Sequence, residues 1–300
     1  MRNRNIFILC EPFRKLSEAD ADGQFEMITR DTAVKADIPN DIKAYLCDLL
    51  SGNIESTLSK VEKPLGKDVR PLLLWTREVC RHFIFYYRYG GFQIKGTKKL
   101  GQAKRYIVFL TCFQCFLMNW YLAFRCKFVI FLVFFSCPFI YTNAISGFSG
   151  EIVNEAHKDR IYNINADQKP SSTHRGDRND AVICQDENAT ILYEQSFGPT
   201  EFDETHYLGD MTKLARNGVD DINYQFLQYR KSSITTAKKL KSIGIHGYKY
   251  FISIYLTDLI SCKTYRIYEI FKCKILTSYS DRWFLMDIVK IGVLLESENL

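Results

Sequence analysis

The chain has 300 residues, 47% of them hydrophobic and 25% charged, which suits one large folded domain or two small ones and excludes a disordered polymer. Its formal charge of +6 at pH 7 is compatible with a nucleic-acid or an anionic-membrane partner. The ten cysteines follow no regular spacing, so reduced thiols are expected rather than a disulfide framework. The apolar run at residues 6–10 is too short for a signal peptide, and no motif for a small-molecule cofactor occurs.

Residues 1–91 are predicted to form a helical region, which a basic linker at residues 92–105 follows. Short helices are expected near residues 16–28 and after the start signal at Pro39, and a longer one over residues 74–88. The apolar positions that recur at helical spacing in the last two helices are Ile42, Leu46, Leu49, Leu50, Trp75, Val79, Phe83 and Tyr86. These positions predict stripes that face a core.

Residues 106–145 form an apolar block of two segments, 106–124 and 128–145, with Arg125 and Lys127 between them. Each segment approaches the roughly 20 apolar residues that a membrane-spanning helix needs. The block therefore predicts two transmembrane helices and a membrane location. The block is also rich in residues with T-rich codons, so the alternative is a translated non-coding insertion in an intracellular soluble protein of the nucleus or cytoplasm.

Residues 150–297 are predicted to form an α/β or α+β domain with a mixed sheet flanked by helices. Strand-like runs suggest a β-hairpin, and helical spacing of apolar residues suggests helices before it, after it and at the end of the domain. In chain order the predicted elements are a helix at 151–164, strands at 181–184 and 190–197, a helix at 204–229, strands at 248–256 and 265–271, and a last helix that carries Phe284, Ile288, Ile291 and Leu295.

Two acidic residues of the predicted hairpin are candidate metal ligands. Asp180 lies at the start of the first strand and Glu194 within the second, where the period of two places it on the same face as Ser196. The hairpin is expected to bring the two carboxylates within a few ångström of each other. Carboxylate oxygens suit Mg²⁺, which activates water and stabilises the charge of a phosphodiester displacement.

These residues carry a resemblance to a known superfamily. An acidic residue at the hairpin start and a second one in the next strand resemble the restriction-endonuclease-like, PD-(D/E)XK nucleases. The resemblance covers residues 150–297. It is closest to a large group of uncharacterised fungal proteins with such a domain, over the stretch RGDRNDAVICQDENATILYEQSFGPTEFDETHYLGDMTKLARNGVDD.

The resemblance implies roles for individual residues. Asp180 matches the first metal-binding aspartate and Glu194 the second acidic ligand, with Mg²⁺ as the metal and DNA as the partner. Ser196 stands where the catalytic lysine normally lies, and Asn179 replaces the proline. Lys213, on the following helix with Asp210, is positioned to act as a migrated catalytic lysine. Glu151 or Glu155 of the preceding helix would supply a further acidic group.

Two functions remain open from the sequence. The first is a Mg²⁺-dependent nuclease, or an inactive DNA-binding relative of one because Ser196 replaces the lysine. The second is an integral membrane protein whose C-terminal domain binds a partner without catalysis. A basic turn with Lys238, Lys239 and Lys241 is either a phosphate contact with Tyr248 and Tyr250 nearby for base stacking, or a solvated turn.

Overall fold

The computed structural model describes residues 5–9, 37–66, 71–88, 145–154, 156–158, 160, 178–185, 188–196, 203–229, 231, 233–276 and 278–297. The chain divides into two compact units. The first unit comprises Met1–Val34, Ile145–Phe197 and Glu201–Lys272. The second comprises Lys35–Ala144, Gly198–Thr200 and Cys273–Leu300.

Three helices follow the first described strand, and the other six described strands come after residue 144 in two groups of three. The strands are β1 (Asn5–Leu9), β2 (Ile145–Val153), β3 (Arg178–Gln185), β4 (Asn188–Ser196), β5 (Lys241–Tyr248), β6 (Phe251–Ser261) and β7 (Thr264–Lys274). The helices are α1 (Asn40–Leu50), α2 (Ile54–Glu62), α3 (Pro71–Arg88), α4 (Glu204–Gln228), the short α5 (Ile234–Ala237), a 3₁₀ turn at Tyr279–Phe284 and α6 (Leu285–Ser297).

The strands form one mixed sheet in the order β1-β7-β6-β5-β4-β3-β2. Strands β2, β3 and β4 form an antiparallel meander, β5 runs parallel to β4, and β6 is antiparallel to β5. Because two parallel neighbours cannot be joined by a tight hairpin, α4 and α5 form the crossover between β4 and β5. The mixed sheet flanked by helices that the sequence predicts is thereby confirmed.

Helix α4 packs on the sheet and builds the core of the first unit. A side-chain oxygen of Asp203 accepts a hydrogen bond from the backbone N–H of His206 and so caps the first turn of α4. The buried side chains between α4 and the strands are Val182, Leu192, Met211, Leu214, Ala215, Tyr255 and Ile267. Each large apolar side chain that is fully buried stabilises the unit by about 1.5–3 kcal/mol.

Gly218 lets α4 approach β6 closely. A Cβ atom at this position would lie 2.6 Å from Oγ1 of Thr257, which is buried in β6. The sequence suggests Gly218 as a bend in the helix, but α4 is one continuous helix from Glu204 to Gln228. The glycine is needed for packing against the sheet.

The second unit contains α1, α2, α3, the 3₁₀ turn and α6. The predicted core positions Ile42, Leu46, Leu49 and Leu50 of α1 are buried. The turn joins this core through Arg282, whose Nε donates to the carbonyl oxygen of Leu50 over 2.7 Å. The turn makes a second contact through Tyr279, whose hydroxyl lies 2.7 Å from the hydroxyl of Thr57. Trp75, Val79 and Phe83 of α3 are buried as predicted.

Several predicted boundaries differ from the observed ones. The helix predicted at 151–164 begins later, because β2 continues to Val153. Residues 156–158 and 160 are helical. The strand predicted at 248–256 corresponds to β6, and the strand before it, β5, was not predicted; a turn at residues 249–250 separates the two strands. The region 1–91 contains a strand, β1, that pairs with β7, and residues 273–300 belong to the second unit rather than to the domain predicted at 150–297.

The predicted membrane segments lie almost entirely outside the described residues, and so do the predicted helix at 16–28 and the linker at 92–105. Residue 145, the end of the second segment, begins β2. None of the helices in the described part of the chain is long and apolar enough to cross a bilayer.

Candidate functional site

The centre of the candidate site is an ion pair between Glu194 of β4 and Lys213 of α4. The Nζ atom of Lys213 lies 2.7 Å from Oε1 of Glu194, and the Glu194 side chain is only 3% exposed. A carboxyl group this deeply buried requires a polar partner, and Lys213 reaches over from the helix to supply it.

Asp180 lies beside this pair on the neighbouring strand. Val182 and Ala181 of β3 pair with Leu192 and Tyr193 of β4, so the same antiparallel register continued by one residue places Asp180 opposite Glu194. Oδ2 of Asp180 accepts a hydrogen bond of 2.9 Å from the backbone N–H of Gln195. The β-hairpin predicted from the sequence is confirmed, and it brings the two carboxylates to neighbouring positions.

The environment of Glu194 changes its acidity. Burial raises the pKa of Glu194 to about 8, and the negative charges of Asp180 and Asp210 act in the same direction. The positive charge of Lys213 opposes this rise in the pKa. Near neutral pH the site therefore gains or loses a proton readily, and a cation placed between Asp180 and Glu194 would favour the ionised form.

A second group of polar side chains lies next to this pair, around Ser196. Oγ of Ser196 lies 2.5 Å from Oδ2 of Asp210 and 2.6 Å from Nε2 of His246, which is on β5. An ionised carboxylate only accepts hydrogen bonds, so the Ser196 hydroxyl donates to Asp210 and accepts from Nε2–H of His246. This order of donors defines the ring tautomer of His246.

His246 is held neutral in this position. Burial lowers its pKa to about 3, and the nearby His206 acts in the same direction. The ring stacks on Tyr207 of α4 at a centroid distance of 4.9 Å, and Tyr207 also contacts the ring of Tyr248 at 4.7 Å. His246 is therefore a packed, uncharged donor to Ser196.

Ser196 and His246 do not form a nucleophile–base pair of the serine-hydrolase type. Such a pair needs an accessible hydroxyl and a carboxylate that orients the far nitrogen of the histidine. Ser196 is 2% exposed, and Nδ1 of His246 has no hydrogen-bond partner among the described residues. The carboxylate here, Asp210, binds the serine instead of the histidine.

His206 brings the same network to the surface. Its Nε2 lies 3.3 Å from Oδ2 of Asp210, one helical turn away on α4, and its side chain is 50% exposed. His206, Asp210 and Lys213 follow each other at spacings of four and three residues, so they share one face of the helix. That face lies over the strand positions of Glu194 and Ser196.

Asn179 belongs to a buried network that anchors β3. Nδ2 of Asn217 on α4 donates to Oδ1 of Asn179 over 2.7 Å. Nearby, Asn154 donates to Asp221 over 3.0 Å. These bonds join the end of β2 and the start of β3 to the middle of α4. They stabilise the strand that carries Asp180.

The structure thus brings together all three residues predicted for the site, Asp180, Glu194 and Lys213. Ser196 is a buried hydrogen-bonding residue, and the side chains of Glu151 and Glu155 lie outside what the structure describes. Lys238 and Lys239 lie in an exposed turn, while Lys241 begins β5. Nothing places the basic turn in contact with the site.

Two residues of the site have no predicted role in the sequence analysis, His206 and His246. The spacing of four residues between His206 and Asp210 is a signal that was available from the sequence. His246 had no such signal, since its position depends on β5, which lies beyond the predicted strand at 248–256.

Within the described part of the chain, no three His, Cys, Asp or Glu side chains are grouped to hold a metal ion. Asp180 and Glu194 provide two carboxylates, which is the donor set that Mg²⁺ uses when waters and substrate phosphates complete its coordination. In comparisons with known proteins, no protein-family model, no curated protein and no solved structure matches this chain.

Proposed function

We propose that the first unit is a Mg²⁺-dependent nuclease domain of the PD-(D/E)XK, restriction-endonuclease-like type that hydrolyses phosphodiester bonds in DNA. The observation that carries the proposal is the contact of Lys213 with Glu194, next to Asp180. Ser196 occupies the usual lysine position, and Lys213 supplies the missing cation from α4.

The arrangement of strands supports the same proposal. The two acidic residues lie on an antiparallel hairpin, β3–β4, and a helix follows that returns the chain to a parallel strand, β5. The order hairpin, helix and parallel strand is compatible with the framework that the resemblance implies. The framework explains why a lysine on α4 reaches the strand that carries Glu194.

The carboxylates of Asp180 and Glu194 would hold Mg²⁺ together with a phosphate oxygen of the DNA. When bound, the metal supplies charge stabilisation and a water molecule of lowered pKa. Lys213 lies beside the Glu194 carboxylate, where its ammonium group orients the attacking water and compensates the charge that develops on the phosphoryl oxygens. The backbone N–H of Gln195 holds the carboxylate of Asp180 in a defined orientation.

Cleavage of labelled DNA by the full-length protein tests the proposal. We expect cleavage with Mg²⁺ or Mn²⁺, and none with EDTA. Asp180→Asn and Glu194→Gln should abolish it because they remove the metal ligands. Lys213→Met should lower the rate about 100-fold or more, since a preorganised charge next to the reacting phosphate is lost.

The control variant is Lys239→Ala, which removes a lysine from an exposed turn and should leave cleavage unchanged. Melting curves of all variants must show that they are folded. If the folded wild-type protein binds DNA but does not cleave it with any divalent metal, the nuclease proposal is contradicted and the inactive DNA-binding function is favoured. Equal cleavage by the wild type and Glu194→Gln would show that the activity lies elsewhere.

A further inference from the structure

Two side-chain contacts join α4 to β4 in the site, and the proposed function uses only one of them. On one side, Lys213 contacts Glu194. On the other side, about one helical turn nearer the start of α4, Asp210 accepts a hydrogen bond from the hydroxyl of Ser196. The two contacts are adjacent, because Lys213 and Asp210 lie about one turn apart on α4 and their partners Glu194 and Ser196 lie two residues apart on β4.

The second contact belongs to a continuous hydrogen-bonded chain from the interior to the surface. Nε2–H of His246 donates to Ser196, and Ser196 donates to Oδ2 of Asp210. Oδ2 of Asp210 also lies 3.3 Å from Nε2 of His206, which is the half-exposed end of the chain. A carboxylate that holds one nitrogen of a histidine fixes the orientation of the ring. The buried members of the chain hold Asp210 in place for this purpose.

From this geometry we infer that His206 is the general acid that protonates the leaving oxygen of the phosphodiester, with Asp210 as its positioning residue. The inference rests on the proposed nuclease function. The oxygen of the attacking water forms a bond to phosphorus and releases one proton to solvent. The bond from phosphorus to the leaving sugar oxygen breaks, and that oxygen takes a proton from the His206 imidazolium. Solvent then returns a proton to the neutral imidazole.

A substrate with sulfur in place of the bridging leaving oxygen separates this role from others. A thiolate is a good leaving group and needs no proton from the enzyme, because a thiol is a much stronger acid than an alcohol. Two DNA substrates are used, with sulfur at the 3′- or the 5′-bridging position, beside the unmodified DNA. The Mg²⁺ concentration is the same for all three substrates.

We expect His206→Gln and His206→Ala to cleave unmodified DNA about 100-fold more slowly than the wild type. They should cleave one of the two sulfur substrates at the wild-type rate. Asp210→Asn should show the same pattern with a smaller loss. Thr205→Ala, at the exposed neighbouring position in the first turn of α4, is the matched control and should change neither rate.

A second measurement tests the hydrogen-bonded chain and does not depend on DNA cleavage. In ¹H–¹⁵N spectra of the imidazole groups, Asp210→Asn should shift the signals of both His206 and His246, whereas Thr205→Ala should leave the His246 signal in place. An unchanged His206 signal in Asp210→Asn would overturn the proposed contact.

The inference is also overturned if His206→Ala slows the unmodified and both sulfur substrates equally, or slows none of them, while the wild type cleaves. Absence of cleavage of any substrate by the folded wild type is a different outcome. It contradicts the nuclease function itself and removes the general acid with it.

Discussion

Glu194 shows how burial and charge compete at a single residue. Its side chain is almost completely buried, and desolvation disfavours the ionised carboxylate more strongly than the Lys213 ammonium favours it. The carboxylates of Asp180 and Asp210 add repulsion. The residue therefore takes up a proton more easily than an exposed glutamate, and it gives up that proton when a cation replaces it.

This acidity predicts how stability depends on pH in the absence of divalent metal. In the unfolded chain Glu194 loses its proton near its ordinary pKa of 4.5, whereas in the folded protein it keeps the proton to about pH 8. The folded state thus binds more protons in this interval, and Glu194 makes the protein less stable as the pH rises from about 5 to about 8. Glu194→Gln should remove this part of the decline, as measured by urea unfolding across the interval.

Glu204→Gln is the control, because Glu204 lies exposed in the first turn of the same helix. It should decline with pH as the wild type does. A Glu194→Gln protein with the same pH dependence as the wild type would show that Glu194 is ionised in the folded state throughout this range.

At the scale of elements, α4 organises the first unit. One face buries Met211, Leu214 and Ala215 against the sheet, and positions 206, 210 and 213 of the same helix carry the polar groups of the site. The cap at Asp203 fixes where the helix begins. Any change in the approach of α4 to the sheet therefore alters the distance from Lys213 to Glu194.

The two glycines of α4 test this approach. Gly218→Ala should destabilise the protein by about 1–3 kcal/mol, because the new Cβ overlaps the buried Thr257 and pushes α4 from the sheet. Gly209→Ala is the matched control, since a Cβ there would meet no atom within 4 Å. It should stabilise the helix by about 0.5–1 kcal/mol. Denaturant midpoints measure both changes, and equal effects of the two substitutions would contradict the close packing at Gly218.

At the scale of the whole molecule, the apolar block at residues 106–145 defines a further prediction. Each of its two segments approaches the roughly 20 apolar residues that a membrane-spanning helix needs. We expect the full-length protein, expressed in cells, to stay with the membrane fraction after extraction with alkaline carbonate. A variant that lacks residues 106–144 should move to the soluble fraction. Release of the intact protein by carbonate would overturn the membrane prediction and favour the insertion alternative.

Much of the fold could be predicted from local patterns. Helix α4 has apolar residues at helical spacing over about five turns, and the hairpin β3–β4 has two strand-like runs around a short polar turn. Strand β5 was not predicted, and the two turn residues that separate it from β6 include no glycine, proline or asparagine. Lys249 takes a left-handed conformation there, with φ of 51°, which is rare for a residue with a side chain.

The sequence by itself determined the residues that matter locally: the core stripes of α1, α3 and α4, the hairpin, and the acidic pair Asp180 and Glu194. Those features depend on neighbours in the chain, and periodicity reveals them. Only the tertiary structure decided that Lys213 contacts Glu194, that His246 supports Ser196 and Asp210, and that residues 273–300 belong with the helices of the second unit. These contacts depend on the crossover of α4 and on the parallel pairing of β4 with β5, which join residues far apart in the chain.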